Sequence, residues 1–214
     1  ARLEGVDGDD AGRVHILKDV TERTRAEREL RTLAMEQAAL RRAATAVAAG
    51  SSPDEVFAIV AREVALLLGA SGGMVSCFDR ATDRAIRVGA WLGTTDADDL
   101  PQRLPLDENV IAEVYRNGTP ARVRDTGTPP SDVFARHGFP VSICAPVRVG
   151  SDVWGAVTAA SEDPNGLPQG SEVRLARFAE LVGITVANAD ARARLARQAA
   201  TDALTGLANH RTFH

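Results

Sequence analysis

The chain has 214 residues, of which 44% are apolar and 25% are charged, and this composition is typical of a globular protein with a buried core. Its formal net charge of -4 argues against nucleic-acid binding, which requires a clustered basic surface. No apolar run approaches the roughly 18 residues of a membrane span, and no secretory signal opens the sequence. We therefore expect a cytoplasmic segment without membrane contact.

The first nineteen residues predict a strand that leads into a helix. Residues 14–18 alternate in polarity like a β-strand, and Asp19 and Glu22 have the spacing of a capping box. With the run Asp19-Val20-Thr21-Glu22-Arg23, this succession resembles the end of a PAS domain. The resemblance implies that residues 1–19 are a C-terminal PAS remnant, although any strand before a capped helix would give the same pattern.

Residues 20–49 predict a helical connector, because no helix-breaking residue interrupts residues 21–49. An apolar stripe at alternating spacings of four and three residues is typical of a weak coiled coil. The stripe consists of Ala26, Leu30, Leu33, Gln37, Leu40, Ala44 and Val47.

The next segment alternates between helix and strand signals. Ser52, Pro53 and Glu55 predict a capped helix start. A short amphipathic helix is predicted over residues 109–117, closed by Gly118. Strands are predicted at residues 73–78, 85–90, 121–123, 141–149 and 153–161.

The last predicted helix runs from about residue 170 to beyond residue 200 and carries two apolar stripes, so it requires two packing partners. The first stripe consists of Leu175, Phe178, Val182, Val186 and Ala189. The second consists of Leu181, Ile184, Asn188, Ala191 and Leu195. We expect one stripe to cover a sheet and the other to meet a helix or a second subunit.

Four segments in this order resemble a GAF domain: residues 110–121, 142–147, 153–157 and 178–189. The resemblance implies a GAF domain over residues 38–192 with an α/β fold. In that fold a central antiparallel sheet of about six strands carries the long N- and C-terminal helices on one face. The helices are expected to extend beyond the domain as a coiled stalk.

GAF domains bind small molecules such as cyclic nucleotides, bilins or haem, or bind nothing and act as dimerisation modules. Cys144 is followed by Ala145 and lies in an apolar run, which disfavours a covalent bilin. His137 lies about where haem-binding GAF sensors place their iron ligand, and it could equally be an ordinary loop histidine. The cofactor therefore stays open between none, haem and a cyclic nucleotide.

A cyclic nucleotide would require phosphate donors. Arg122, Arg124 and Arg136 could supply them, with a hydroxyl from Ser142, although arginines at such positions also form surface ion pairs. The four histidines and two cysteines show no metal-binding spacing. We predict no metal site.

The C-terminal run Thr201-Asp202-Ala203-Leu204-Thr205-Gly206-Leu207-Ala208-Asn209-His210-Arg211 resembles the opening motif of a GGDEF (diguanylate cyclase) domain. His210 departs from the motif, in which arginine usually follows the asparagine. The resemblance implies that residues 193–214 are a signalling helix and the start of a cyclase domain. The motif positions that match are Asp202, Leu204, Thr205, Gly206, Leu207 and Asn209.

Because the Gly-Gly-Asp/Glu-Glu-Phe loop is absent from the sequence, we expect this chain to regulate catalysis without performing it. Two cyclase domains must face one another, which implies a parallel homodimer of helical stalks. We expect its contacts at Leu30, Leu33 and Leu40 and at the second stripe of the last helix. The alternative is a ligand-free dimerisation or protein-interaction module.

Overall fold

The computed structural model describes residues 8–93, 100–107, 109–128 and 130–200. The chain divides into two compact units, Ala1–Ala38 and Ala39–His214. The described part of the first unit is helical and belongs to α1, which spans Gly8–Ala48. The opening motif of the GGDEF resemblance, residues 202–209, lies outside the described residues.

Among the described residues, the second unit contains the end of α1, four further helices and six strands. In chain order after α1 they are α2 (Pro53–Leu68), β1 (Gly72–Asp79), β2 (Arg84–Leu92), β3 (Arg103–Pro105), α3 (Val110–Asn117), β4 (Ala121–Arg124), α4 (Val133–Arg136), β5 (Val141–Val149), β6 (Asp152–Ser161) and α5 (Ser171–Ala200).

The predicted strand at residues 14–18 is wrong, because these residues lie within α1. A strand must find its hydrogen-bond partners on another strand, and the sheet of this chain is built from residues 72–161. A helix satisfies the same backbone groups locally. The helix that was predicted to start near residue 21 therefore spans Gly8–Ala48.

The start of α2 is set by its capping residues, as predicted. The Ser52 hydroxyl accepts a hydrogen bond from the Glu55 amide at 3.3 Å, and the Glu55 carboxylate accepts one from the Ser52 amide at 3.0 Å. Gly69 ends the helix in the left-handed conformation at φ +62°.

The six strands form one antiparallel sheet in the order β3-β2-β1-β6-β5-β4. Successive side chains point to opposite faces, so the sheet has two distinct cores. One face, here called the helical face, packs against α2, α5 and the end of α1. The other, called the loop face, is covered by α3, α4 and the segments around them. This is the GAF-like α/β fold expected from the sequence.

Helix α5 joins the core to the C-terminal end of the domain. Leu175, Phe178 and Val182, from the first predicted stripe, are at most 1% exposed and pack in the helical-face core. The second stripe is largely exposed, at Ile184, Asn188, Ala191 and Leu195. Leu181 differs, because it is half-buried against the same core. One α5 stripe therefore covers the sheet and most of the other is available to a partner.

Within the described residues, no helix combines the length and apolarity needed to cross a membrane.

Candidate functional site

A diagonal of hydroxyl groups crosses the three central strands on the loop face. Ser76 lies on β1, Thr158 on β6 and Ser142 on β5. The register places Thr158 opposite both Met74 and Cys144. All three hydroxyl-bearing residues are at most 1% exposed. This part of the loop face, here called the hydroxyl floor, is the candidate site.

Two of the three hydroxyls have no hydrogen-bond partner among the described residues. The oxygens of Ser76 and Ser142 are both buried and unpartnered, whereas the Thr158 hydroxyl lies 3.3 Å from the Cys144 sulfur. An unsatisfied buried polar group costs about 1–3 kcal/mol, and such groups are uncommon enough to require an explanation.

The space above the floor is almost closed. A cavity of about 10 Å³ lies there, close to the smallest volume that holds one water molecule. Its lining includes Thr158 and Ala160 from the floor and Leu100, Phe134 and Phe139 from the covering segments. The aromatic rings of the protein therefore occupy the room that a ligand would need.

The covering segment around α4 is fixed by two carboxylates. Asp132 caps α4, accepting hydrogen bonds from the amides of Phe134 at 2.8 Å and Ala135 at 3.2 Å. Burial raises the pKa of the Asp132 carboxyl.

Asp125 closes the loop before α4. Its carboxylate accepts hydrogen bonds from the amides of Asp132, Gly127 and Ser131 and from the Ser131 hydroxyl. These bonds, led by the one from Asp132, lower the Asp125 pKa to about 2.

Burial disfavours the thiolate form of both cysteines. Complete burial raises the Cys144 pKa to about 12, and burial also raises the Cys77 pKa above its usual value. Because the thiolate is the reactive form, this environment gives no support to a covalent chromophore at Cys144.

The structure places Arg122 and Arg124 on the helical face, away from the hydroxyl floor. They lie opposite Ile143 and Val141 on β5, which belong to the helical-face core. Ser142 faces the other way, opposite Ala160. The residues predicted as phosphate donors are therefore not brought together with the hydroxyl predicted to assist them.

Arg122 instead ties β4 to the beginning of α5. Its Nε donates to Glu172 Oε1 at 2.5 Å, and its two terminal nitrogens donate to the carbonyls of Leu167 at 2.7 Å and Pro168 at 2.9 Å. The Arg122 hydrogen bond holds the Glu172 pKa below its usual range. Arg124 adds a bond to Asn165 Oδ1 at 3.1 Å on the same connection.

His137 ends α4 and is exposed, and it is not among the residues lining the cavity. Its Nδ1 lies 2.8 Å from the Val133 carbonyl oxygen. A carbonyl can only accept, so Nδ1 carries the proton. Arg136, beside it, donates to the Ser131 carbonyl at 2.9 Å.

The sequence analysis missed Ser76, Thr158 and the aromatic cover. A signal existed for Ser76, since it alternates with Met74 and Phe78 and so shares their face of β1. The signal for α4 was the capping residue Asp132, but a helix of four residues carries too little periodicity to be recognised.

A second concavity, of about 610 Å³, opens beside α5 on the helical face. Its lining includes Pro120 before β4, Pro146, Arg148 and Val149 from β5, and Glu180, Ile184 and Ala187 from α5. The exposed stripe of α5 therefore borders a mostly apolar groove.

Comparison with known structures shows the same fold in proteins of different function. The GAF domain from an Acinetobacter phosphoenolpyruvate-protein phosphotransferase matches at TM-score 0.61 and 16% identity, covering 75% of this chain and 98% of that one. The free methionine-R-sulfoxide reductase from Neisseria meningitidis, solved in complex with its substrate, matches at 0.62 and 16%, covering 74% and 91%. The GAF-B domain of DevS from Mycobacterium smegmatis matches at 0.54 and 22%, covering 67% and 99%. These identities establish the fold alone.

No curated protein sequence matches the chain. The family model for the GAF domain matches residues 52–186, which is more than half of the chain. The chain therefore belongs to the GAF domain family.

Proposed function

We propose that this chain is a regulatory segment whose GAF domain controls a C-terminal diguanylate cyclase domain through helix α5. The observation that carries this proposal is the division of α5 into two parts. Leu175 and Val182 are fully buried in the domain core, whereas the described side chains from Ala187 to Leu195 are exposed except for a half-buried Ala189. One helix thus connects the core to the residues that resemble the opening motif of a cyclase.

The Arg122 contacts support a route from the loop face to this helix. Strand β4 follows α3, which covers the loop face, and Arg122 joins β4 to Glu172 in the first turn of α5. A displacement of α3 on the loop face would move β4. The Arg122 bonds would transmit that movement to the start of α5. Regulation would then act on the orientation of the stalk and so on the approach of two catalytic domains.

A parallel homodimer supplies the second copy that such an enzyme needs. Ile184 and Leu195 are 51% and 64% exposed on α5, and Leu30 and Leu33 are 66% and 53% exposed on α1. Exposed large apolar side chains repeated along a helix favour association with a partner helix. Asn188 would be a polar position that fixes the register.

Sedimentation with a matched pair of variants tests the dimer. Ile184→Glu places a charge in the proposed interface, and Ala193→Glu places one at an exposed position on the opposite face of the same helix. We expect the wild type and Ala193→Glu to sediment as dimers at tens of micromolar and Ile184→Glu as a monomer with unchanged circular dichroism. A monomeric wild type, or equal behaviour of the two variants, would refute the proposal.

The regulatory role also predicts that this chain alone forms no cyclic di-GMP from GTP. Product formation by purified protein, measured by chromatography, would contradict that role.

A ligand-free dimerisation module is the second candidate. The observation that favours it is the cavity of about 10 Å³, since side chains of the protein already cover the hydroxyl floor. The two candidates share the dimer and differ in whether the loop face binds a small molecule.

A further inference from the structure

Arg148 contacts helices on both faces of the sheet. It lies on β5, where the pairing with β6 shifts register between Val147 and Arg148. Its exposed guanidinium donates through Nη2 to the Gly118 carbonyl oxygen at 2.6 Å, at the C-terminal end of α3. Its own carbonyl oxygen is the atom that a Cβ on Gly183 of α5 would meet. One residue therefore joins a helix of the loop face to a helix of the helical face.

The bond to Gly118 stabilises the end of α3. Gly118 closes this helix in the left-handed conformation at φ +65°, and its amide donates to the Val114 carbonyl at 2.8 Å. The carbonyl groups of the last helical turn lack partners within the helix and form the negative end of its dipole. A guanidinium is favoured there because it supplies both a donor and a positive charge.

The fit is close on both sides of Arg148. At Gly118, an added Cβ would lie 3.1 Å from Arg148 Nη2. At Gly183, it would lie 2.3 Å from the Arg148 carbonyl oxygen, so the backbones of α5 and β5 are in direct contact. Ile184 follows Gly183 and is the first exposed residue of the second stripe. A movement of β5 at Arg148 therefore reaches α5 where its exposed stripe begins.

The bond between Arg148 and Gly118 lies at the surface of the domain. Water can replace either partner when such a bond breaks, so the contact can open and close without leaving a buried group unsatisfied. This property suits a contact that changes during regulation.

We propose that Arg148 is a positioning residue that couples α3 to α5. Its side chain holds the end of α3 while its backbone supports α5 at Gly183, so a displacement of α3 on the loop face changes the position of the exposed stripe of α5. This inference rests on the proposed regulatory role. It adds a connection distinct from that of Arg122, which contacts the first turn of α5 at Glu172.

Hydrogen exchange at the Gly118 amide measures the stability of the end of α3. Arg148→Met keeps a long unbranched side chain and removes the charge and the donors. We expect the Gly118 amide to lose protection about two- to fivefold. The Gly69 amide, which lies in the same left-handed cap at the end of α2, should be unchanged. Arg148→Lys keeps a charge and a donor and should retain part of the protection.

Arg136→Met is the matched control variant. Arg136 is also exposed and also donates to a backbone carbonyl, that of Ser131 at 2.9 Å, but this bond stays within the segment around α4. The variant should leave the protection of the Gly118 amide unchanged.

A double-variant cycle separates coupling from a local effect on α3. Gly183→Ala displaces α5 against the Arg148 carbonyl oxygen, and we expect it to change the protection of the Gly118 amide about twofold or more in the otherwise wild-type chain. In the Arg148→Met background, the same change should leave that protection unaltered. A residue that only capped α3 would leave the two effects independent of each other. Arg148→Lys repeats the cycle with a smaller change of the side chain.

The proposal is overturned if Arg148→Met leaves the Gly118 amide unaffected or if Arg136→Met affects it equally. It is also overturned if Gly183→Ala has no effect at Gly118, or has the same effect in the wild-type and Arg148→Met backgrounds. Failure of the proposed dimer is distinguishable, because the sedimentation of Ile184→Glu tests it and the exchange measurements require no second subunit.

Discussion

Gly183 is the point at which the backbone of α5 meets the sheet, and Gly183→Ala should displace the helix from the sheet. An alanine Cβ at this position would lie 2.3 Å from the Arg148 carbonyl oxygen, whereas ordinary contact begins at 3.4 Å. Helix and strand must therefore separate by about 1 Å. The atom met is a backbone atom of β5, so a rotamer change cannot relieve the contact.

Two opposing effects set the magnitude. Alanine favours the helix over glycine by about 1 kcal/mol, and overpacking of this kind costs about 1–3 kcal/mol. Because the clash is with a strand inside the sheet, we expect the upper part of that range and a net loss of about 1–2 kcal/mol. For a chain of this size, that loss lowers the thermal midpoint by about 2–8 °C.

Thermal and urea denaturation of Gly183→Ala would measure the effect. Ala187→Gly, at an exposed position one turn later, is the control and should cost only the helix propensity of about 1 kcal/mol. If Gly183→Ala stabilises the protein, α5 does not touch β5 at this point, and the mechanical connection from sheet to stalk is wrong.

Two further predictions concern charged side chains. Arg42 donates to both carboxylate oxygens of Glu63, at 2.9 and 2.5 Å, and Glu63 is 3% exposed. Arg42→Ala should therefore lower the thermal midpoint, and Arg42→Ala/Glu63→Gln should recover part of the loss because it removes the buried charge. Equal midpoints for the two variants would contradict this. Asp125 has a pKa of about 2, below the unfolded value of about 3.9, so its stabilising effect is present above pH 4 and is lost as the pH falls towards 2. Asp125→Asn should therefore lose less stability than the wild type between pH 5 and 2.5 in urea titrations, and an unchanged pH dependence would refute the assignment.

The sequence predicted best those elements whose signals are local. The capping residues of α2 predicted where the helix begins, and the apolar pattern of residues 141–149 predicted β5 with the observed bounds. Asn109 was placed in the helix, whereas it is the N-cap that precedes Val110. Strand β3 was missed because its three residues are too few to show an alternation.

The candidate site was harder to predict because it depends on which face each residue takes. Arg122 and Ser142 are both polar residues in neighbouring strands, and only the antiparallel register shows that they point in opposite directions. The packing of Leu181 in α5 also could not be predicted from its spacing along the sequence. It belongs to the predicted dimer stripe by spacing, but it is half-buried against the core, so a charge at this position would disturb the core as well as the interface and would not test the dimer alone.

The central claim, that two parallel α5 helices form the stalk, is tested most directly by a cysteine at position 195. Leu195 is 64% exposed, and a Cys77→Ser background leaves only Cys144, which is fully buried. We predict that Leu195→Cys forms a disulfide-linked dimer in high yield under mild oxidation, whereas Ala193→Cys, exposed on the opposite face of the helix, does not in the same background. Failure of Leu195→Cys to crosslink, or equal crosslinking at position 193, would contradict the parallel stalk.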